Sequence, residues 1–337
     1  MTPAQAYDDL NRQFKEYSLL GSINSLIGWD ERVFMPPRGA AHRAEQMAFI
    51  ARLAHERLAA PQVGERLWEI DGSNLLEDPT SDTAVNVREI RRLHDRAVKV
   101  PASLVEELTR TATLAQNVWQ EARHNNDFPS FAPWLEKIVH LKRQEADAIG
   151  YQDSPYDALL DEYEPGATAR EITAVFAELR RELVPLVAQI IGSARKPRRD
   201  LLKREYAVER QQIFGQAAAA AIGFDFQSGR LDVTVHPFCS GIGPGDTRLT
   251  TRYHPREFNQ GFFGILHEAG HGIYDQGLDP DHFGTPLGNA VSLGIHESQS
   301  RLWENQVGRG RPFWEHFYPR LKQTFPGVVD DVALDDF

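Results

Sequence analysis

The stretch from about 256 to 276 constrains this chain more than any other. Phe262, Phe263, Ile265, Leu266 and Ile273 make it apolar enough for a buried helix, yet His267, Glu268 and His271 lie in its middle. Two imidazoles and a carboxylate are costly to bury unless a cation compensates them. Residues four apart on a helix point the same way about one turn apart, so both imidazoles can reach one ion. The HEAGH segment, His267 to His271, therefore reads as a divalent-metal site of the HExxH kind with Glu268 as the base. Ala269 and Gly270 leave this helix open to close approach by another backbone.

Zinc in such a site needs a third protein ligand and an open position for water. The extended pattern HExxHxxGxxH is absent, because Tyr274 and Gly277 stand where its glycine and last histidine belong. The third ligand must come from elsewhere. Glu297, 26 residues after His271, lies on the next helical stretch, with room for a loop and a return alongside the first helix. Asp275 and Glu304 compete with it on spacing, Asp275 also as an outer carboxylate behind the ligands and Glu304 also as a solvated or ion-paired residue. The chemistry implied is amide hydrolysis: a metal acidifies water and polarises a carbonyl, and Glu268 carries the proton to the leaving amine.

The remaining sequence predicts a mainly α fold. Ile172, Val175, Phe176, Leu179, Leu183, Leu186, Val187 and Ile190 recur at helical spacing behind a Thr168–Glu171 capping box. A second box, Ser103 with Glu106, opens a helix towards Arg123, and similar patterns cover about 4–20, 38–60, 130–149, 200–222 and 288–306. Residues 229–253 break the pattern with β-branched residues alternating around a Gly/Pro-rich turn, which predicts a two-stranded element with Asp246, Arg248 and Thr250 on one face. One domain, 1–337, is expected, with a helical wall (1–228), the β element (229–253) and the metal-site helices (254–337).

Composition narrows the partners. With 37 Lys plus Arg against 48 Asp plus Glu, the net charge of −11 argues against non-specific binding to nucleic acid or an anionic membrane surface, and favours a peptide or small molecule. One cysteine, Cys239, excludes an intrachain disulfide, and the opening MTPAQAYDDL lacks the layout of a secretion signal, so the cytoplasm is expected.

Dense segments along the whole sequence resemble the carboxypeptidase Taq family of metallocarboxypeptidases: WDERVFMPPRGAAHRAEQ at 29–46, YDALLDEYEPG at 156–166, FDFQSGRLDVTVHPF at 224–238, DTRLT at 246–250, HEAGH, and GTPLGNAVSLGIHESQSRLWEN at 284–305. The resemblance implies a saddle-like helical fold with a deep groove, one zinc or cobalt ion per protomer, and Glu297 as the third ligand. It also implies release of single residues from peptide C-termini with broad specificity, and a homodimer. His236, Asp246 and Arg248 would line or brace the groove, with Arg248 holding Asp246 in a structural pair. It further implies two family segments beyond Phe337, so that the protein is incomplete at its C-terminal end. On that basis some of the surface carried by Leu302, Trp303, Phe313, Trp314 and Phe317 is expected to be exposed, and the protein to self-associate or be poorly stable, with little carboxypeptidase activity. An endopeptidase or oligopeptidase with the same metal chemistry, or an impaired form that only binds metal or peptide, are the competing readings.

Overall fold

The computed structural model describes residues 1–337. Helix α1 runs from Pro3 to Val33, opened by a capping box between Thr2 and Gln5. It passes Gly21 and Gly28 unbroken, well beyond the expected end near residue 20. Each interior glycine costs about 1 kcal/mol relative to alanine. Packing of α1 along α2 (Ala40–Leu58) offsets that cost, and Trp29 near the far end of α1 is buried.

Helices α3 (Pro61–Ile70) and α4 (Asp82–Ala97) follow, and neither was among the expected stretches. Helix α5 (Ala102–Asn125) begins directly after Pro101, without a side-chain cap. The expected Ser103–Glu106 box is not formed, because Ser103 already lies inside the first turn. Helix α6 (Phe128–Ile149) is capped by Asp127.

Helix α7 (Pro155–Leu160) leads to α8 (Ala169–Gly192), whose Thr168–Glu171 capping box is present as expected. After α9 (Val208–Ala221) come three strands rather than two: β1 (Gly229–Val233), β2 (Cys239–Gly243) and β3 (Asp246–Thr251), with β3 in the centre. The apparent single turn concealed β2, because the irregular segment around His236 and Pro237 separates β1 from it. Then come α10 (Phe258–Gln276), α11 (Leu293–Arg301), a π-helical turn (Leu302–Val307) and α12 (Arg311–Thr324). The fold is mainly α, with a small sheet directly before the HEAGH helix.

The protein divides into two compact units. The first comprises 1–155, 240–248 and 275–291. Its core joins Leu10 and Phe14 of α1 to Leu58, Val63, Leu67, Ile70, Val87 and Ile90. The second comprises 156–239, 249–274 and 292–337. Its core is built on α10: Phe258, Phe262 and Leu266 pack with Phe214 of α9 and with Phe313, Trp314, Phe317 and Leu321 of α12.

That second core corrects an expectation. Phe313, Trp314 and Phe317 are buried, and Leu302 and Trp303 half-buried, because α12 folds back onto α10. The exposed apolar surface lies on α8, which buries no residue: Phe176 and Ile190 are each 61% exposed. No helix is long and apolar enough to cross a membrane.

Candidate metal centre

Aromatic packing fixes the helix that carries the site. Phe258 and Phe262 stack on one face of α10 with ring centroids 5.3 Å apart, and Phe262 meets Trp314 at 5.4 Å. Ile265 and Ala269 face the second small core, with Leu249 and Phe224. Full burial of a large apolar residue contributes about 1.5–3 kcal/mol. Phe258, Phe262, Ile265 and Leu266 together are therefore sufficient to hold polar groups in the same helix.

Glycine lets the second helix approach. A Cβ on Gly270 would lie 2.6 Å from both the Gln299 carbonyl oxygen and the Ser300 Cα, so α11 crosses α10 backbone to backbone at this point. The crossing brings Glu297 over the two histidines. Its Oε2 stands 3.2 Å from Nε2 of His271 and 3.6 Å from Nε2 of His267. One donor atom from each of His267, His271 and Glu297 falls within 4.8 Å of the others. Asp275 is not in this group. It approaches Gly241 instead, within the first unit.

The protonation pattern shows what such a triangle can hold. Nδ1 of His267 is 2.9 Å from Oε2 of Glu304. An ionised carboxylate only accepts, so Nδ1 carries the proton and donates it. In the neutral ring Nε2 is then a lone pair, and it faces a carboxylate oxygen. A lone pair 3.6 Å from a carboxylate oxygen is an arrangement that a cation between them would satisfy. The residues present, two imidazole nitrogens and one carboxylate oxygen, fit zinc or a similar divalent ion.

Electrostatics distinguish the three carboxylates. Glu268 is 6% exposed, and burial, with the charges of Glu297 and Glu304 adding to it, pushes its pKa to about 8. Burial also works to raise Glu297. Hydrogen bonds from Ser300 (3.0 Å) and Arg301 (2.8 Å), with the nearby His267, nonetheless hold it below the ordinary carboxylate range. Glu304 likewise stays low against its burial, through hydrogen bonds from Arg309 and His267. At 14% side-chain exposure and paired with Arg309 and Arg301, it is the ion-paired one of the two alternatives that spacing allowed.

The other anticipated residues belong to the sheet and the segment between its first two strands. Arg248 donates two hydrogen bonds of 2.8 Å to Asp246, and its guanidinium lies 4.1 Å from the centroid of Trp29. His236, in the irregular segment between β1 and β2, is exposed. Sequence reasoning passed over His296, whose ring stacks on His271 at 4.5 Å and meets Tyr274 edge-on at 5.2 Å. Its position directly before Glu297 was the available signal.

Comparison with known proteins identifies the family. Residues 9–337 match the family model described as carboxypeptidase Taq (M32) metallopeptidase. The sequence is 47% identical to thermostable carboxypeptidase 1 of Thermus thermophilus over its whole length, covering 68% of that protein. It is 35% identical to carboxypeptidase 1 of Bacillus subtilis, covering 66% of it. The crystal structure of the M32 carboxypeptidase from Deinococcus radiodurans R1 superposes with a TM-score of 0.87 at 38% identity, over 98% of this protein and 66% of that one. The 337 residues thus span about two thirds of the length of these relatives.

Proposed function

Because the protein belongs to the carboxypeptidase Taq (M32) family of metallopeptidases, we propose that it is a metal-dependent carboxypeptidase, releasing single amino acids from peptide C-termini with broad residue preference. His267, His271 and Glu297 would hold one divalent ion, zinc or cobalt. A divalent ion bound there would supply Lewis acidity, for polarising the scissile carbonyl and acidifying a water. Glu268, on the same helix between the two histidines, takes the proton from the attacking water and delivers it to the departing amine. The Asp246–Arg248 pair acts as a brace. Of the three residues assigned to the groove, exposed His236 is the one left to meet a peptide.

The observation that carries this reading is the convergence of His267 Nε2, His271 Nε2 and Glu297 Oε2 beside a buried carboxylate. A peptide substrate and a homodimer follow from the resemblance. The cytoplasmic assignment rests on the single cysteine. The test is hydrolysis by metal-loaded protein of peptides with free and amidated C-termini, with products identified by mass. Carboxypeptidase action requires recognition of the terminal carboxylate. Release of single residues from the free peptides alone is expected; internal cleavage of the amidated ones would establish an endopeptidase instead.

A further inference from the structure

Glu304 is the one acid at the site whose role the triad leaves unexplained. It is not placed to share an ion with the triad, because it meets His267 at Nδ1 whereas Glu297 faces Nε2, on the opposite side of the ring. Seven residues separate the two glutamates, two helical turns, and one imidazole lies between them.

The surroundings of Glu304 hold it in place. Arg309 donates to Oε1 at 2.9 Å and Arg301 to Oε2 at 3.3 Å, so both oxygens are engaged from the protein side. Arg309 is itself fixed, its guanidinium 3.9 Å from the centroid of Phe263, one turn before His267 on α10. The backbone between Leu302 and Val307 is π-helical, and the Gly308 N–H donates to the Trp303 carbonyl at 2.9 Å, five residues back. Such wide turns are rare and occur mostly as single-turn features, frequently at functional sites. Here the wide turn carries Glu304 at its third residue.

We propose that Glu304 is a positioning residue: its carboxylate accepts the Nδ1–H of His267, fixes the tautomer whose Nε2 lone pair faces Glu297, and thereby sets the affinity of the site for its cation. The inference rests on the metal-site reading given above. Hydrogen bonds to the far nitrogen of a ligating imidazole orient the ring and raise its basicity, and losing one typically costs about 10–100-fold in metal affinity or activity. Arg309 and Arg301 act one step further out, holding the Glu304 carboxylate in register.

Zinc affinity of the wild type, Glu304→Gln and Glu304→Ala is measured by competition with a chromophoric chelator, alongside nitrogen-15 spectra of histidine-labelled protein. The expected result is about 10–100-fold weaker zinc binding in Glu304→Ala, with partial recovery in Glu304→Gln, whose amide oxygen still accepts the hydrogen bond. The His267 Nδ1–H signal should be present in the wild type and weakened or lost in Glu304→Ala. A purely structural Glu304 would lower the unfolding temperature of chelator-treated protein without changing the tautomer signal. Wild-type zinc affinity and an unchanged tautomer in both variants would overturn the proposal. Failure of the wild type to bind zinc or cobalt would overturn the metal-site reading, and this proposal with it.

Discussion

Replacing Glu268 by Gln should stabilise the metal-free protein, and by an amount that depends on pH. The carboxyl is buried, and its pKa is about 8 in the folded protein against an ordinary 4.5. A raised carboxyl pKa means that the folded state binds the proton more tightly than the unfolded one. Its contribution to stability is therefore intact below about pH 4.5 and is lost as the pH rises to about 8. At about 1.4 kcal/mol per pKa unit, the full difference corresponds to about 5 kcal/mol, of which about 3–4 falls between pH 5 and pH 8. Glutamine copies the shape of the protonated acid and cannot ionise. The assay is thermal or urea unfolding of both proteins across this range, in chelator so that no cation stabilises the carboxylate. The two should agree near pH 5 and diverge steadily, with the variant several kcal/mol more stable near pH 8. Parallel curves would show that Glu268 is ionised in the folded protein at little cost, and would refute the argument from burial.

With metal present the same substitution should abolish hydrolysis while leaving zinc binding close to wild type, read by turnover and metal content together, because it removes the base and no ligand. Glu297→Ala should weaken zinc binding strongly in a chelator competition; retention of metal there, with loss in Asp275→Ala, would invalidate the ligand set. Gly270→Ala forces a Cβ against the Gln299 and Ser300 backbone, so α11 must move outward, with an expected loss of about 1–3 kcal/mol in unfolding measurements and a weaker metal site. The exposed stripe on α8, including Phe176, Leu183 and Ile190, should drive concentration-dependent self-association in light scattering, relieved by glutamates at these three positions; a monodisperse wild-type monomer would contradict this.

Helical periodicity made most of the fold legible, because an apolar stripe is a local signal and the cores form where such stripes meet. It failed where burial depends on what covers a stripe. Helix α8 has the clearest spacing of all, yet none of its residues is buried. Phe313, Trp314 and Phe317, expected on the surface, fill the core of the second unit. Periodicity identifies a face that favours burial, whereas the partner that buries it is set by tertiary contacts many residues away. The sheet failed for a different reason. A strand as short as β2, CSGIG, carries two glycines and no alternation, so its pairing with β3 is decided by the backbone and leaves little trace in residue type.

At the site, the residues on one helix were readable and the relations between helices were not. His267, Glu268 and His271 are fixed by a spacing of four, which the helix converts directly into geometry. On spacing Glu297 was one of three acids, since a separation of 26 residues through a loop permits many returns; the resemblance singled it out, and the Gly270 crossing brings it over the two histidines. Glu304 was the harder case. Its seven-residue offset from Glu297 places the two acids on one face of a helix, but only the crossing puts an imidazole between them, with Nε2 towards one and Nδ1 towards the other. The crossing thus makes one glutamate a candidate ligand and the other its support. The same two acids also raise the proton affinity of Glu268, whose pKa they push up together with burial. Ligand geometry, imidazole tautomer and the strength of the base are therefore coupled through one backbone contact. A substitution that moves α11 should disturb all three at once, whereas Glu268→Gln should disturb only the last.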